Sequence, residues 1–159
     1  MKRRDLLQGS ALGLAALQRA IRAQGALDSN LTIGNSVIRI TVPAANYTAW
    51  SLTDIAGAKT YEFAPPVFPV NGNPRLGIVT RAAASAPRLL PNGVTEYRFH
   101  SALKDDPSLS LGMAFRIAPD RPVVRFRYEL SSATGQHRLR GPAELRYFGV
   151  RLGGMARVH

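Results

Sequence analysis

Leu109-Ser110-Leu111-Gly112-Met113-Ala114-Phe115-Arg116-Ile117, followed by Pro119-Asp120-Arg121-Pro122 and then Val123-Val124-Arg125-Phe126-Arg127-Tyr128-Glu129-Leu130, is the stretch that decides the fold. In the first segment Leu109, Leu111, Met113, Phe115 and Ile117 alternate with Ser110, Gly112, Ala114 and Arg116. In the second, Val124, Phe126, Tyr128 and Leu130 alternate with Val123, Arg125, Arg127 and Glu129. A period of two puts successive side chains on opposite faces of a pleated strand, whereas a helix would repeat every 3.6 residues. The prolines on either side of Asp120-Arg121 supply turn chemistry. The pattern predicts an antiparallel hairpin with strands over 108–118 and 123–131, and turns Phe115, Phe126 and Tyr128 inward.

The same period extends outward from this hairpin. Ile38, Ile40 and Val42 share one face, and so do Tyr97 and Phe99 within Thr95-Glu96-Tyr97-Arg98-Phe99. Further strands are expected over 47–55, 59–64, 75–83, 86–90 and 143–152. Between them stand turn formers: Gly34-Asn35, Ala56-Gly57, Asn71-Gly72-Asn73-Pro74, Pro91-Asn92-Gly93 and Gly141-Pro142. Short alternating strands separated in this way predict an all-β fold, an antiparallel β-sandwich spanning 30–153, with a tail over 154–159. No segment after residue 30 reads as a helix longer than two turns, and no internal repeat is visible.

The outward positions carry a pattern of their own. Arg98, Arg116, Arg125, Arg127 and Arg146 lie there with Glu96, Glu129 and Glu144. Such a face reads as solvated, with cross-strand pairs worth roughly 0.2–1 kcal/mol each, or as a surface for a saccharide or a phosphate.

The chain begins Met1-Lys2-Arg3-Arg4-Asp5-Leu6-Leu7, and a modestly apolar run follows to Leu17, then Arg19, Arg22 and small residues from Ala20 to Ala26. A basic start, a short apolar centre and a small-residue cleavage zone describe an export signal over 1–24. The run is too short to span a bilayer, which takes about 20 apolar residues, so no stable membrane anchor is expected. The adjacent Arg3 and Arg4 resemble the twin-arginine signal, with Lys2 where Ser or Thr is usual and Leu6 where Phe is commonest. A periplasmic or secreted location follows. The formal net charge is +11, of which the leader's five basic residues against Asp5 take a large share, leaving about +7 for the rest. Those remaining charges are nearly all arginine and spread through the chain, without the concentrated stripe or motif of a nucleic-acid binder. There are no cysteines, which excludes disulfides, thiolate metal sites and a cysteine nucleophile.

No complete active site emerges. His100, His137 and His159 form no paired metal spacing, and there is no GxSxG elbow, no GxGxxG and no GK[ST] loop. No catalytic residue, metal or cofactor is therefore nominated. Asp105 and Asp106 stand together, but calcium takes six to eight oxygens, and an acidic turn is the simpler reading. Two residues are candidates for a sugar: Trp50, the only tryptophan, as an aromatic platform or else a core filler, and Asp54, which otherwise reads as a turn-initiating aspartate before Ala56-Gly57-Ala58.

Several segments together resemble a known family. They are Asn35-Ser36-Val37-Ile38-Arg39-Ile40-Thr41-Val42, Tyr47-Thr48-Ala49-Trp50-Ser51-Leu52-Thr53-Asp54 with Gly57-Ala58-Lys59, Val94-Thr95-Glu96-Tyr97-Arg98-Phe99, and the hairpin quoted first. They are similar to the N-terminal β-supersandwich of melibiase-type α-galactosidases, over about residues 31–152, and related patterns recur in galactose-mutarotase-like domains. The resemblance implies a sandwich that packs on a (β/α)₈ barrel carrying two catalytic aspartates. No barrel falls within these 159 residues, so no catalytic residue carries over. The reading is a non-catalytic N-terminal module of an exported α-galactosidase-like glycoside hydrolase. Its partners are a possible saccharide and either the missing barrel or a second copy through 147–152. A stand-alone periplasmic carbohydrate-binding or interaction module is the alternative. A small aldose-epimerase-like enzyme is another, with His100, Glu96 and Glu129 as the available acid–base groups.

Overall fold

The computed structural model describes residues 25–26, 29–81, 83–135, 137, 139 and 149–152. The expected signal with Arg3 and Arg4, the 154–159 tail, and Glu144, Arg146 and His159 lie outside them. Among the described residues every regular element is a β-strand, and no helix is long and apolar enough to cross a membrane. The chain is an all-β antiparallel sandwich.

One sheet has six strands. Its centre is β10 (Thr95–Ala102) and β11 (Leu109–Ile117), with β12 (Val124–Ser132) beyond β11. On the other side of β10 lie two short strands, β8 (Ala83–Ala84) and β9 (Arg88–Leu89), and β1 (Gly25–Ala26) pairs with β8. The second sheet runs β13-β5-β4-β3-β2: Gly149–Leu152, Lys59–Ala64, Ser51–Asp54, Ile38–Val42 and Leu31–Gly34. A separate hairpin joins β6 (Val67–Val70) to β7 (Asn73–Leu76).

The hairpin β11–β12 forms in the register that the alternation requires. Phe115 faces Phe126 and Met113 faces Tyr128. Phe115 is fully buried, while Phe126 and Tyr128 are half-buried and pack on the core from the last strand in the order. One apolar cluster joins the two sheets: Ile38, Ile40 and Val42 from β3 meet Phe99, Leu111, Met113, Phe115 and Ile117 from β10 and β11.

Two predicted strands are corrected. The 47–55 strand is confined to β4, because Ala49 N–H donates to Asn46 O at 3.1 Å and bends the chain ahead of it. That bend drops Tyr47 and Trp50 into the core. The 75–83 strand breaks after Leu76. Gly77 N–H donates to Pro66 O at 2.7 Å, and a Cβ at Gly77 would come within 2.8 Å of the Pro66 ring. Strands β2 and β6 were not anticipated. β6 holds a proline, a poor strand residue, and is closed by Asn71 (φ 51°) and Gly72 (φ 82°), a two-residue turn of the type that hairpins favour.

Candidate functional site

Trp50 and Asp54 flank the start and end of β4. Trp50 is 1% exposed and lies flat on Phe63, centroids 3.8 Å apart, with the rings of Phe115 and Phe126 edge-on at 4.9 and 5.1 Å. Its Nε1–H points to the Tyr128 hydroxyl at 3.4 Å. It fills the core and offers no open ring face to a sugar. Its edge nevertheless forms part of the wall of a half-open groove of about 420 Å³, together with Ala49, Ser51, Glu62, Phe63, Ala64 and Pro65. Asp54 Oδ1 accepts from Ala56 N–H at 3.1 Å, which is the turn-initiating role. Across the strands it faces Lys59.

The arginines occupy the outer face of the six-stranded sheet. The register sets three rows across β10, β11 and β12: Glu96–Arg116–Arg125, Arg98–Ala114–Arg127 and His100–Gly112–Glu129. Arg88 of β9 stands opposite Glu96. Glu96 departs from its expected exposure. It is on the outward face, as alternation requires, yet is 1% exposed. Arg98 Nε–H donates to its Oε1 at 2.7 Å and Arg116 Nε–H to its Oε2 at 2.6 Å. Burial pushes this carboxyl up, but the bonds and charges of Arg116 and Arg98 outweigh it and hold it below the usual glutamate range. The same bond raises the Arg98 guanidinium. Buried beneath the two guanidiniums, the Glu96 carboxylate is closed off from a substrate. Glu129 pairs with Arg127 at 2.6 Å, and His100 stands two strands from it in the same row.

A second polar cluster was invisible to motif reading. It forms where the β6–β7 turn, the β10–β11 loop and the segment after β12 meet. Ser108 Oγ–H donates to Asp106 Oδ1 at 2.5 Å, and His137 Nε2 lies 3.0 Å from Ser108 Oγ. His137 Nδ1 lies 3.4 Å from Asn71 Nδ2. The Ser108 hydroxyl has one proton, and Asp106 takes it, so Nε2 of His137 donates to Ser108 and Nδ1 accepts from Asn71. The Ser108 bond holds Asp106 below the usual carboxylate range, with the Arg75 charge adding to it. Nucleophilic chemistry needs the imidazole to accept the serine proton. Here the proton runs the other way, so the cluster fastens three loops and does not activate Ser108. Only sequence-distant contacts assemble it: Ser108 and His137 are 29 positions apart and Asn71 and His137 are 66. Among the described residues no group of three or more His, Asp or Glu is placed to hold a metal ion.

Compared with protein families, curated proteins and solved structures, the chain matches none.

Proposed function

We propose that this chain is the sandwich module of an exported α-galactosidase-like glycoside hydrolase, a module that breaks no bond itself and serves a catalytic barrel beside it. The observation that supports this most is how the family-like segment is used. Tyr47 and Trp50 anchor the core, Ser51–Asp54 pairs with Lys59–Ala64, and Asp54 closes their turn. Every distinctive residue of that segment builds scaffold. A functional aspartate and an aromatic platform would instead stand open.

The leader reading places the chain in the periplasm or outside the cell. The test is recovery of a tagged chain from the cells that make it. α-Galactosidase activity should accompany it, while the purified chain alone leaves an aryl α-galactoside intact. Absence of accompanying activity, or turnover by the pure chain that a point substitution within it abolishes, overturns the proposal.

The alternative, a carbohydrate-binding module, draws its support from the arginine rows on the outer sheet face.

A further inference from the structure

We infer that the outer face of the six-stranded sheet binds an anionic polysaccharide, whose carboxylate or sulfate groups dock on Arg98, Arg116, Arg125 and Arg127. The choice of a glycan rests on the sugar-active reading above, and the choice of an anionic one rests on this face.

Five arginines, Arg88, Arg98, Arg116, Arg125 and Arg127, meet only two carboxylates, Glu96 and Glu129, on the described part of the face. The pairing is unequal. Glu96 serves two arginines, through Nε in both cases. Bound at Nε, each guanidinium keeps its terminal nitrogens, and no described residue hydrogen-bonds them. Arg98 and Arg116 remain 47% and 44% exposed while the carboxylate beneath them is closed off. Glu96 is thus a strut. It holds two like charges side by side, cancels one of them, and leaves two forks facing outward. No described carboxylate lies within ion-pair distance of Arg88 or Arg125. A guanidinium fork matches a planar or tetrahedral oxyanion in two bonds.

The arrangement suits a polymer better than a single ion. The charges spread over neighbouring strands about 4.8 Å apart and over alternate residues about 7 Å apart along each strand. They form a flat field with no enclosing cavity. Small residues, Gly112 and Ala114, stand between them on the central strand; Ala114 is buried and the Glu129 side chain lies over Gly112. No phenylalanine, tyrosine or tryptophan stands in the three rows, and the single ring there, His100, makes no row of stacking platforms such as single-stranded nucleic acid uses.

The test is binding of the full chain to polygalacturonate and to heparin, with neutral galactan and oligo-dT beside them. Polygalacturonate or heparin should bind, more weakly as salt rises, because the contacts are screened. Neutral galactan should not. R125E with R127E, both exposed, should weaken binding at least tenfold. R39E with K59E changes the net charge equally on the other sheet and should shift it less than twofold. E96Q makes the face more positive, yet it should weaken binding because the two forks lose their strut; stronger binding would show that bulk charge alone acts. No binding to either polyanion at low salt overturns the inference, as does an equal loss in the two double variants. Oligo-dT binding as tight as the glycans removes the glycan and leaves the module proposal to its own recovery test. Failed recovery alongside intact polyanion binding removes the module and keeps this face.

Discussion

The side-chain amide of Asn35 donates to the carbonyl of Ala118 at 2.8 Å, across 83 positions of chain. The same nitrogen donates to Arg121 O, also at 2.8 Å, while Oδ1 accepts from the amides of Val37 and Ile38. One side chain therefore shapes the β2–β3 turn of one sheet and ties it to the β11–β12 turn of the other. Asn35→Ala should cost about 2–4 kcal/mol, at about 1 kcal/mol for each bond. Asn35→Asp should cost as much, because it puts an oxygen against two carbonyls. Urea titration of the two variants checks this, and an aspartate variant of wild-type stability would contradict it.

Glu96 makes the protein's acid stability specific. Its folded carboxyl titrates below the ordinary value near 4.5. The contribution is therefore fully present above that value and is lost as pH falls through the depressed one. Glu96→Gln should lower stability by about 1–3 kcal/mol at neutral pH and by less at pH 3. A constant difference across that range would mean that the carboxylate contributes no charge.

Tyr47 acts at the opposite end of the scale. Its ring is fully buried against Phe99, centroids 5.7 Å apart, and its hydroxyl donates to Leu111 O. Burial lifts the phenol well above its ordinary value of 10.0. Stability from this group is complete below that value and falls as pH rises above it, since only the unfolded chain ionises there. Tyr47→Phe should cost about 1–2 kcal/mol at pH 7 and flatten the alkaline decline, as read by thermal melts between pH 8 and about 11.

Trp50 reports on the core. Being the sole tryptophan and closed from water, it should emit at short wavelength and shift red in one step with unfolding. Phe115→Ala, beside it, should cost about 3–5 kcal/mol. Phe126→Ala should cost less, since Phe126 is half-buried. Equal losses in denaturant would place the two rings in equivalent surroundings, against the structure.

How legible this molecule is depends on how local each cause is. The β11–β12 hairpin was readable because alternation and proline turns act within a few residues. The breaks before β4 and after Leu76 were not, because they follow from Asn46 O and Pro66 O accepting amides that a sequence pattern would assign to a sheet. Trp50 could be read as platform or core until Phe63 was seen lying on it. The burial of Glu96 depends on Arg116, 20 positions away, and alternation alone marks it as exposed. The Asp106–Ser108–His137 cluster is less legible still, since each member is unremarkable in its own segment.

The pairing of β1 with β8 carries a consequence for the order of assembly. The β11–β12 hairpin closes a short turn, whereas Gly25–Ala26 must find Ala83–Ala84 across most of the second sheet and the β6–β7 hairpin. Closing about 57 residues in place of about 6 adds roughly 2 kcal/mol of chain entropy, and a two-residue strand has few bonds to offset it. β1 should therefore dock last and detach first, with its amides exchanging hydrogen before those of β11. Each detachment uncovers the backbone edge of β8, which makes that edge the place where two molecules can trade strands.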